Sequence, residues 1–275
     1  MAGWQQGGGF FIEIADRKLA VRCWGPSPGT TPVLLLLHEG LGCVELWKTF
    51  PKALHLATGL SVVAYSRTGY GRSSAAALPR PLDYMEREAL DVLPAVLAAL
   101  NLEKAILIGH SDGASIAAVL GGLADSRVRG LCLIAPHFFA EDSGLDAIAT
   151  TRKSYVTGDL RARLAKYHND PDNAFFGWAD AWLHPDFRNW DIQDYLPGVQ
   201  VPVLAIQGVQ DAYGTKAQIK ALRDGLLAPF DSLMVENCGH APHLEHQELV
   251  VRKLTEFLNR LQRIEDVNVN MQYNA

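Results

Sequence analysis

Hydrophobic residues along the chain fall into two alternating patterns. Strand-like segments recur as VLLLLH (33–38), LSVVAYS (60–66), KAILIGHS (104–111), VRGLCLIAP (128–136), VPVLAIQG (201–208) and DSLMVEN (231–237). The first is a short continuous apolar run, the mark of a strand buried on both faces. Helical spacing lies between these segments. ELWKTFPKALHLAT reads as a helix that Pro51 kinks or delays, and 83–101 as a helix with Asp83 at its N-cap and a bend at Pro94. DGASIAAVLGGLAD (112–125) is a small-residue helix, and 247–263 is a closing amphipathic helix. Before the first buried run, FFIEI and KLAVRCWG read as a hairpin joined at Ala15-Asp16-Arg17. The alternation predicts an α/β fold, a mostly parallel central sheet with helices on both faces.

Residues 137–200 break the rhythm. They hold two helix-like stretches and an aromatic-rich stretch from Phe175 to Trp190, but no strand of the main pattern. An insertion here, between two sheet strands, is expected to form a helical lid over the carboxyl edge of the sheet. The expected organisation is a core of 1–136 and 201–263, a lid of 137–200 and a flexible tail of 264–275.

Composition narrows the function. The net charge is -5 and no basic run occurs, so the electrostatic footprint of a nucleic-acid binder is missing. Continuous apolar runs such as Val33 to Leu37 are far too short to cross a bilayer. The opening MAGWQQGGGF lacks a charged segment followed by an apolar one, so no secretory leader is read and a cytoplasmic location is expected. Cys23, Cys43, Cys132 and Cys238 have no metal or redox spacing. The expected partner is a small-molecule substrate with an apolar part, with at most a second copy of the chain in a homodimer, and neither nucleic acid nor membrane.

The chemistry concentrates just after the strands. Gly109-His110-Ser111-Asp112-Gly113 follows an apolar strand and opens a helix, the context of a nucleophile elbow. Side chains flanking the serine would clash in so tight a turn, hence the two glycines. A serine hydroxyl needs an adjacent base. His240, in NCGHAPH after the last strand, is the candidate. Asp211, in GVQDAYG after the preceding strand, is the candidate to orient it. Asp142 is the alternative acid. The loop His38-Glu39-Gly40-Leu41-Gly42 can offer the Gly40 N–H to an oxyanion, with the Asp112 N–H as the second donor. Asp112 also places a negative charge at a helix N-terminus, or meets a polar group of the substrate. Trp178 and Trp182, among the lid aromatics with Phe175, Phe176 and Trp190, and His137 after its strand are the candidate pocket residues. His240, His243 and His246 have the spacing of metal ligands, but the first has a better role, and neither metal nor cofactor is expected.

Taken together, LLLLHEGLG, AYSRTGYGRS, GHSDG, AIQGVQD and CGHAPH resemble the α/β-hydrolase superfamily over nearly the whole chain. The resemblance implies a serine hydrolase whose triad runs Ser111, Asp211, His240, in that fold's chain order. It implies cleavage of an ester, lactone or thioester through an acyl-enzyme. Two other classes share the fold: non-hydrolytic lyases or cofactor-free oxygenases, and slow-turnover ligand receptors. One departure is Glu39, where the family has a glycine. A carboxylate facing an oxyanion opposes catalysis, so Glu39 is expected to turn away or to pair with a cation. The loop also lacks the His-Gly-Gly-Pro-Gly form of proline iminopeptidases.

Overall fold

The structure, a computed structural model, describes residue 4 and residues 7–273, with side chains as far as residue 263. The strands are β1 (Gly9–Ile14), β2 (Arg17–Trp24), β3 (Val33–Leu37), β4 (Val62–Tyr65), β5 (Ala105–His110), β6 (Val128–Ile134), β7 (Val203–Gly208) and β8 (Phe230–Val235). They form one sheet in the order β1-β2-β4-β3-β5-β6-β7-β8. The hairpin strand β2 pairs antiparallel with both β1 and β4, and all other pairings are parallel. The α/β architecture read from the sequence is therefore the observed one.

All five residues of β3 are buried, and the pleat explains why. Leu35 and Leu37 join Leu107, Leu131 and Leu133 in the core on one face of the sheet. Leu34 and Leu36 join Ile106, Ile108, Cys132 and Ile134 in the core on the other. Helices α1 (Phe50–Thr58) and α10 (Gln247–Tyr273) cover the second face. Helices α3 (Leu93–Ala99) and α4 (Asp112–Gly122) cover the first.

Register decides where the chemistry can gather. Leu37 pairs with Gly109, Gly109 with Leu133, and Leu133 with Ala205. The parallel strands thus end nearly level, and the loops after β3, β5, β6, β7 and β8 all leave from one edge.

Proline accounts for two local departures from simple helices. A 3-10 turn at Val44–Trp47 precedes α1, which begins with Pro51 in its first turn. A π turn (Glu88–Val92) separates the one-turn α2 (Tyr84–Arg87) from α3, because Pro94 has no N–H to continue the ladder. Helix α8 (Lys216–Gly225), between β7 and β8, is an addition to the elements read from the sequence. Thr215 caps it by accepting from the Ala217 N–H, and Gln218, Ile219 and Leu222 turn inward at helical spacing. Between β6 and β7 lie α5 (Asp142–Thr157), α6 (Leu160–Leu164), α7 (Pro171–Trp182) and two 3-10 turns. Asp170 caps α7, accepting from the Asn173 N–H ahead of Pro171. After β8, the one-turn α9 (Pro242–Glu245) leads into α10. The backbone of α10 continues past residue 263 to Tyr273. The tail expected at 264–275 lies outside the described side chains, and most of the stretch 1–6 lies outside the described residues.

Candidate active site

Ser111 joins β5 to α4 with φ 52° and ψ −120°, a conformation that L-residues rarely adopt. The two glycines make it possible. A Cβ on Gly109 would lie 2.2 Å from the Gly113 carbonyl oxygen, and one on Gly113 would lie 2.0 Å from the Leu37 carbonyl oxygen. The elbow is thus wedged against the end of β3. The Ser111 N–H donates to the Ile134 carbonyl at 2.9 Å, which ties it to β6 as well.

Asp211 sits in the turn after β7, and His240 in the loop after β8. His240 Nδ1 lies 2.8 Å from each oxygen of the Asp211 carboxylate. That carboxylate also accepts from Gln207 Nε2 at 2.7 Å and from the Tyr213 N–H at 2.9 Å. Burial pushes the Asp211 carboxyl up. The hydrogen bond and charge of His240, with the Tyr213 N–H, outweigh it and hold the group below the usual carboxylate range. A carboxylate only accepts, so Nδ1 of His240 carries the hydrogen and Nε2 is left as the basic nitrogen. His240 and Ser111 line the same cavity, of about 120 Å³.

The loop after β3 forms one wall. Arg67, fully buried, donates from Nη1 to the His38 carbonyl and from Nη2 to the Glu39 carbonyl at 3.1 Å. In a trans peptide the C=O and the following N–H point in opposite directions. Holding the Glu39 carbonyl toward Arg67 therefore turns the Gly40 N–H to the other side of that plane. His38 fixes the same turn, since Nδ1 donates to the Glu39 carbonyl at 2.7 Å and Nε2 accepts the Arg67 N–H at 3.0 Å. A ring used once as donor and once as acceptor is neutral. Accordingly, burial, joined by the Arg67 charge, pushes His38 well below the ordinary histidine range.

The carboxylate of Asp112 faces the protein. It accepts from Tyr84 Oη at 2.5 Å and lies 3.8 Å from Arg67 Nη2. Burial raises its pKa against the pull of Arg67 and Tyr84. Trp182 Nε1 donates to Tyr84 Oη at 3.0 Å, so a residue of α7 is tied into the same network. The main chain of Asp112 opens α4, where the first N–H groups of a helix have no partner within it.

Gly40, Asp112, His137, Trp178 and Trp182 all line the cavity with Ser111 and His240. His137 packs 5.7 Å from His240 and 5.4 Å from Trp182 between ring centroids. Burial, with the neighbouring His240, pushes its pKa down to about 3, so it faces the cavity as a neutral ring. Trp178 lies directly on the loop: a Cβ on Gly40 would be 2.2 Å from its Nε1. Phe175 instead stacks on Tyr155 at 3.7 Å, and Trp190 on Phe187 at 5.3 Å, as packing residues. Asp142 is exposed at the start of α5 and pairs with Arg188. Leu41, Ile148 and Tyr213 complete the walls. Of these, Leu41 belongs to the loop singled out after β3 and Tyr213 follows the acid by two residues, while Ile148 carried no sequence signal.

The three histidines with ligand spacing do not share a point. His240 binds Asp211, His243 packs against Trp47 and Phe50, and His246 Nε2 contacts the Asn237 carbonyl. No group of three metal-ligating side chains occurs among the described residues.

The model of the alpha/beta hydrolase family matches residues 34–253, and the chain belongs to that family. A 1-acylglycerol-3-phosphate O-acyltransferase of Homo sapiens is 34% identical over 111 residues, 39% of this chain. The match spans only 30% of that relative's length. A non-heme chloroperoxidase of Streptomyces lividans is 26% identical over 266 residues, 86% of this chain and 94% of that protein. The solved enol-lactonase of Burkholderia xenovorans superposes with a TM-score of 0.70 at 19% identity, covering 90% of this chain and 99% of that one. That likeness is one of fold.

Proposed function

We propose that the protein is a serine hydrolase that cleaves a carboxylic ester, lactone or thioester through an acyl-enzyme intermediate. The observation that carries this reading is the Asp211–His240 pair meeting the strained Ser111 elbow at one cavity. In this reading His240 Nε2 takes the Ser111 proton as Oγ attacks the substrate carbonyl. The N–H groups of Gly40 and Asp112 receive the oxyanion. His240 then protonates the leaving group, and a water molecule activated by the same nitrogen releases the acyl group. Asp211 holds the tautomer and stabilises the imidazolium that forms.

The cavity bears on the substrate. Its walls are mainly apolar, formed by Leu41, Ile148, Trp178, Trp182 and Tyr213. The cavity measures about 120 Å³. We read the substrate as a small ester or lactone with an apolar part, and His137 as a neutral hydrogen-bonding partner within the pocket. The segment from α5 to the second 3-10 turn, which supplies Ile148, Trp178 and Trp182, is read as the lid that covers it.

The test is Ser111→Ala assayed on p-nitrophenyl esters and on a panel of small lactones and thioesters, beside fluorophosphonate labelling of the wild type. Loss of turnover and of label with an unchanged melting temperature supports the reading. Retained turnover in Ser111→Ala refutes it. A wild type that neither labels nor turns over any substrate favours a ligand receptor on the same fold.

A further inference from the structure

Glu39 and His110 are unaccounted for by the chemistry above, although both border it. Glu39 stands in the oxyanion loop and is among the residues that line the cavity holding Ser111. The carboxylate folds back on its own loop: a Cβ on Gly42 would lie 2.3 Å from Glu39 Oε2. There Oε2 meets Nδ1 of His110 at 3.4 Å. His110 is buried beside the nucleophile, and its Nε2 lies 2.7 Å from the backbone carbonyl of His240.

Hydrogen-bond bookkeeping fixes the charges. A carbonyl only accepts, so Nε2 carries a hydrogen. Burial works against ionisation of Glu39, but its hydrogen bond to His110 outweighs it and holds the carboxyl well below the usual range. An ionised carboxylate also only accepts, so Nδ1 carries a hydrogen too. The ring thus bridges a carboxylate on the oxyanion loop and a carbonyl on the loop of the proposed base.

We propose that His110 is a charge-compensating positioning residue: it neutralises Glu39 beside the oxyanion site and anchors the His240 loop through its backbone carbonyl. The inference rests on the serine-hydrolase reading of the site. Without a positive charge on the His110 ring, the partly exposed Glu39 carboxylate would stand uncompensated in the loop beside the site where negative charge develops in the transition state. Arg67 cannot replace it, because its side chain is committed to the His38 and Glu39 carbonyls and lies beside Asp112. His243, whose ring packs on His110 as those of Trp47 and His240 do, has its pKa pushed well down, by burial first and His110 next, and stays neutral. Gly42 is then the residue that makes room for the carboxylate to fold away.

The experiment is a double-mutant cycle read as separate kcat and KM values on an ester that the wild type hydrolyses, with melting temperature alongside. His110→Leu is expected to lower kcat about 100-fold, the order of losing one oxyanion donor, with KM nearly unchanged. Glu39→Gln added to it is expected to recover at least tenfold of that loss, because the uncompensated charge is gone. His110→Gln keeps a donor for the His240 carbonyl but carries no charge, and should show the same loss and the same rescue even where His110→Leu folds poorly. A purely structural role would lower the melting temperature and give no rescue. A double variant as slow as His110→Leu, or a His110→Gln variant with wild-type kcat, overturns the proposal. Ser111→Ala is run in parallel: if it is dead while the rescue fails, this inference alone falls, and if it is active, the underlying reading falls.

Discussion

Nδ1 of His240 is equidistant, at 2.8 Å, from the two oxygens of the Asp211 carboxylate. With Gln207 and the Tyr213 N–H holding the same carboxylate, only one tautomer of the ring is stable there. Asp211→Asn offers an amide that can donate to Nδ1 and so selects the wrong tautomer. Turnover is expected to fall by about ten-thousandfold with the fold retained. Asp142→Asn is the control: its side chain is exposed and pairs with Arg188, so the expected effect on kcat is within about twofold, as for surface pairs generally. A crippling Asp142→Asn beside a mild Asp211→Asn would reverse the assignment of the acid.

Gly40 and Trp178 are in such close contact that no side chain fits between them. Gly40→Ala is expected to lower kcat by about 100-fold by displacing the N–H donor. Adding Trp178→Ala removes the clash and should return much of the rate. If the double variant stays as slow as Gly40→Ala, the backbone at residue 40 is sensitive for another reason.

Trp178 and Trp182 wall the cavity and also pack into the core. Each Trp→Ala variant is expected to shift relative kcat/KM along an acyl-chain series toward larger groups, by about 1–3 kcal/mol for each methylene newly accommodated. Stability should fall as well, and more for Trp182, whose indole N–H is bonded to Tyr84. An unchanged ranking of substrates with a lowered melting temperature would leave these tryptophans as packing alone.

Acid should weaken the fold through its buried histidines. Burial, first among several influences, lowers the pKa of His38, His137, His168 and His243 from the ordinary value. Between that ordinary value near 6.5 and the lowered one, the unfolded chain binds protons that the native rings refuse. Stability contributed by neutral burial is therefore full above about pH 6.5 and falls on acidification, by up to about 1.4 kcal/mol per pH unit for each ring. Asp112 and Glu88, whose carboxyls are raised by burial, act in the opposite sense, so the comparison is best made by difference. His243→Phe keeps the packing against Trp47 and Phe50 and removes an unpartnered Nδ1. Its urea midpoint should fall less than the wild type's from pH 7 to pH 5, and equal slopes would refute this account.

Dialysis against a chelator is expected to leave activity unchanged, since every step assigned above uses protein groups and water. Activity lost to chelator and restored by zinc would return attention to His240, His243 and His246.

The strands were legible because β3, β5, β6 and β7 are covered on both faces and so read as unbroken apolar runs. Ser111, Asp211 and His240 were legible because each lies in the loop or turn that follows a strand, and parallel strands deliver such residues to one edge. Arg67, Tyr84 and His110 were not. Their meaning lies in partners distant along the chain: Arg67 reaches back to the His38 carbonyl, Tyr84 reaches forward to Asp112, and His110 reaches back to Glu39. Periodicity reports which face a residue occupies, not what it meets there. Glu39 stood out as a misplaced carboxylate, but the histidine beside it was hidden as the variable residue of the elbow motif. Helix α8 went unread because its inward face is short, with Gln218 beside only Ile219, Ala221 and Leu222.

The backbone at Ser111 implies a conflict between durability and work. A residue held at φ 52°, ψ −120° is displaced from its own preferred conformations by on the order of 1–3 kcal/mol, whereas glycine adopts that geometry freely at an entropic cost of about 0.5–1 kcal/mol. Ser111→Gly should therefore give a chain at least as resistant to heat as the wild type, and inert. A laboratory evolution campaign that rewards only survival at high temperature would drift toward glycine at this position. Any screen meant to keep the chemistry must select for turnover in every round.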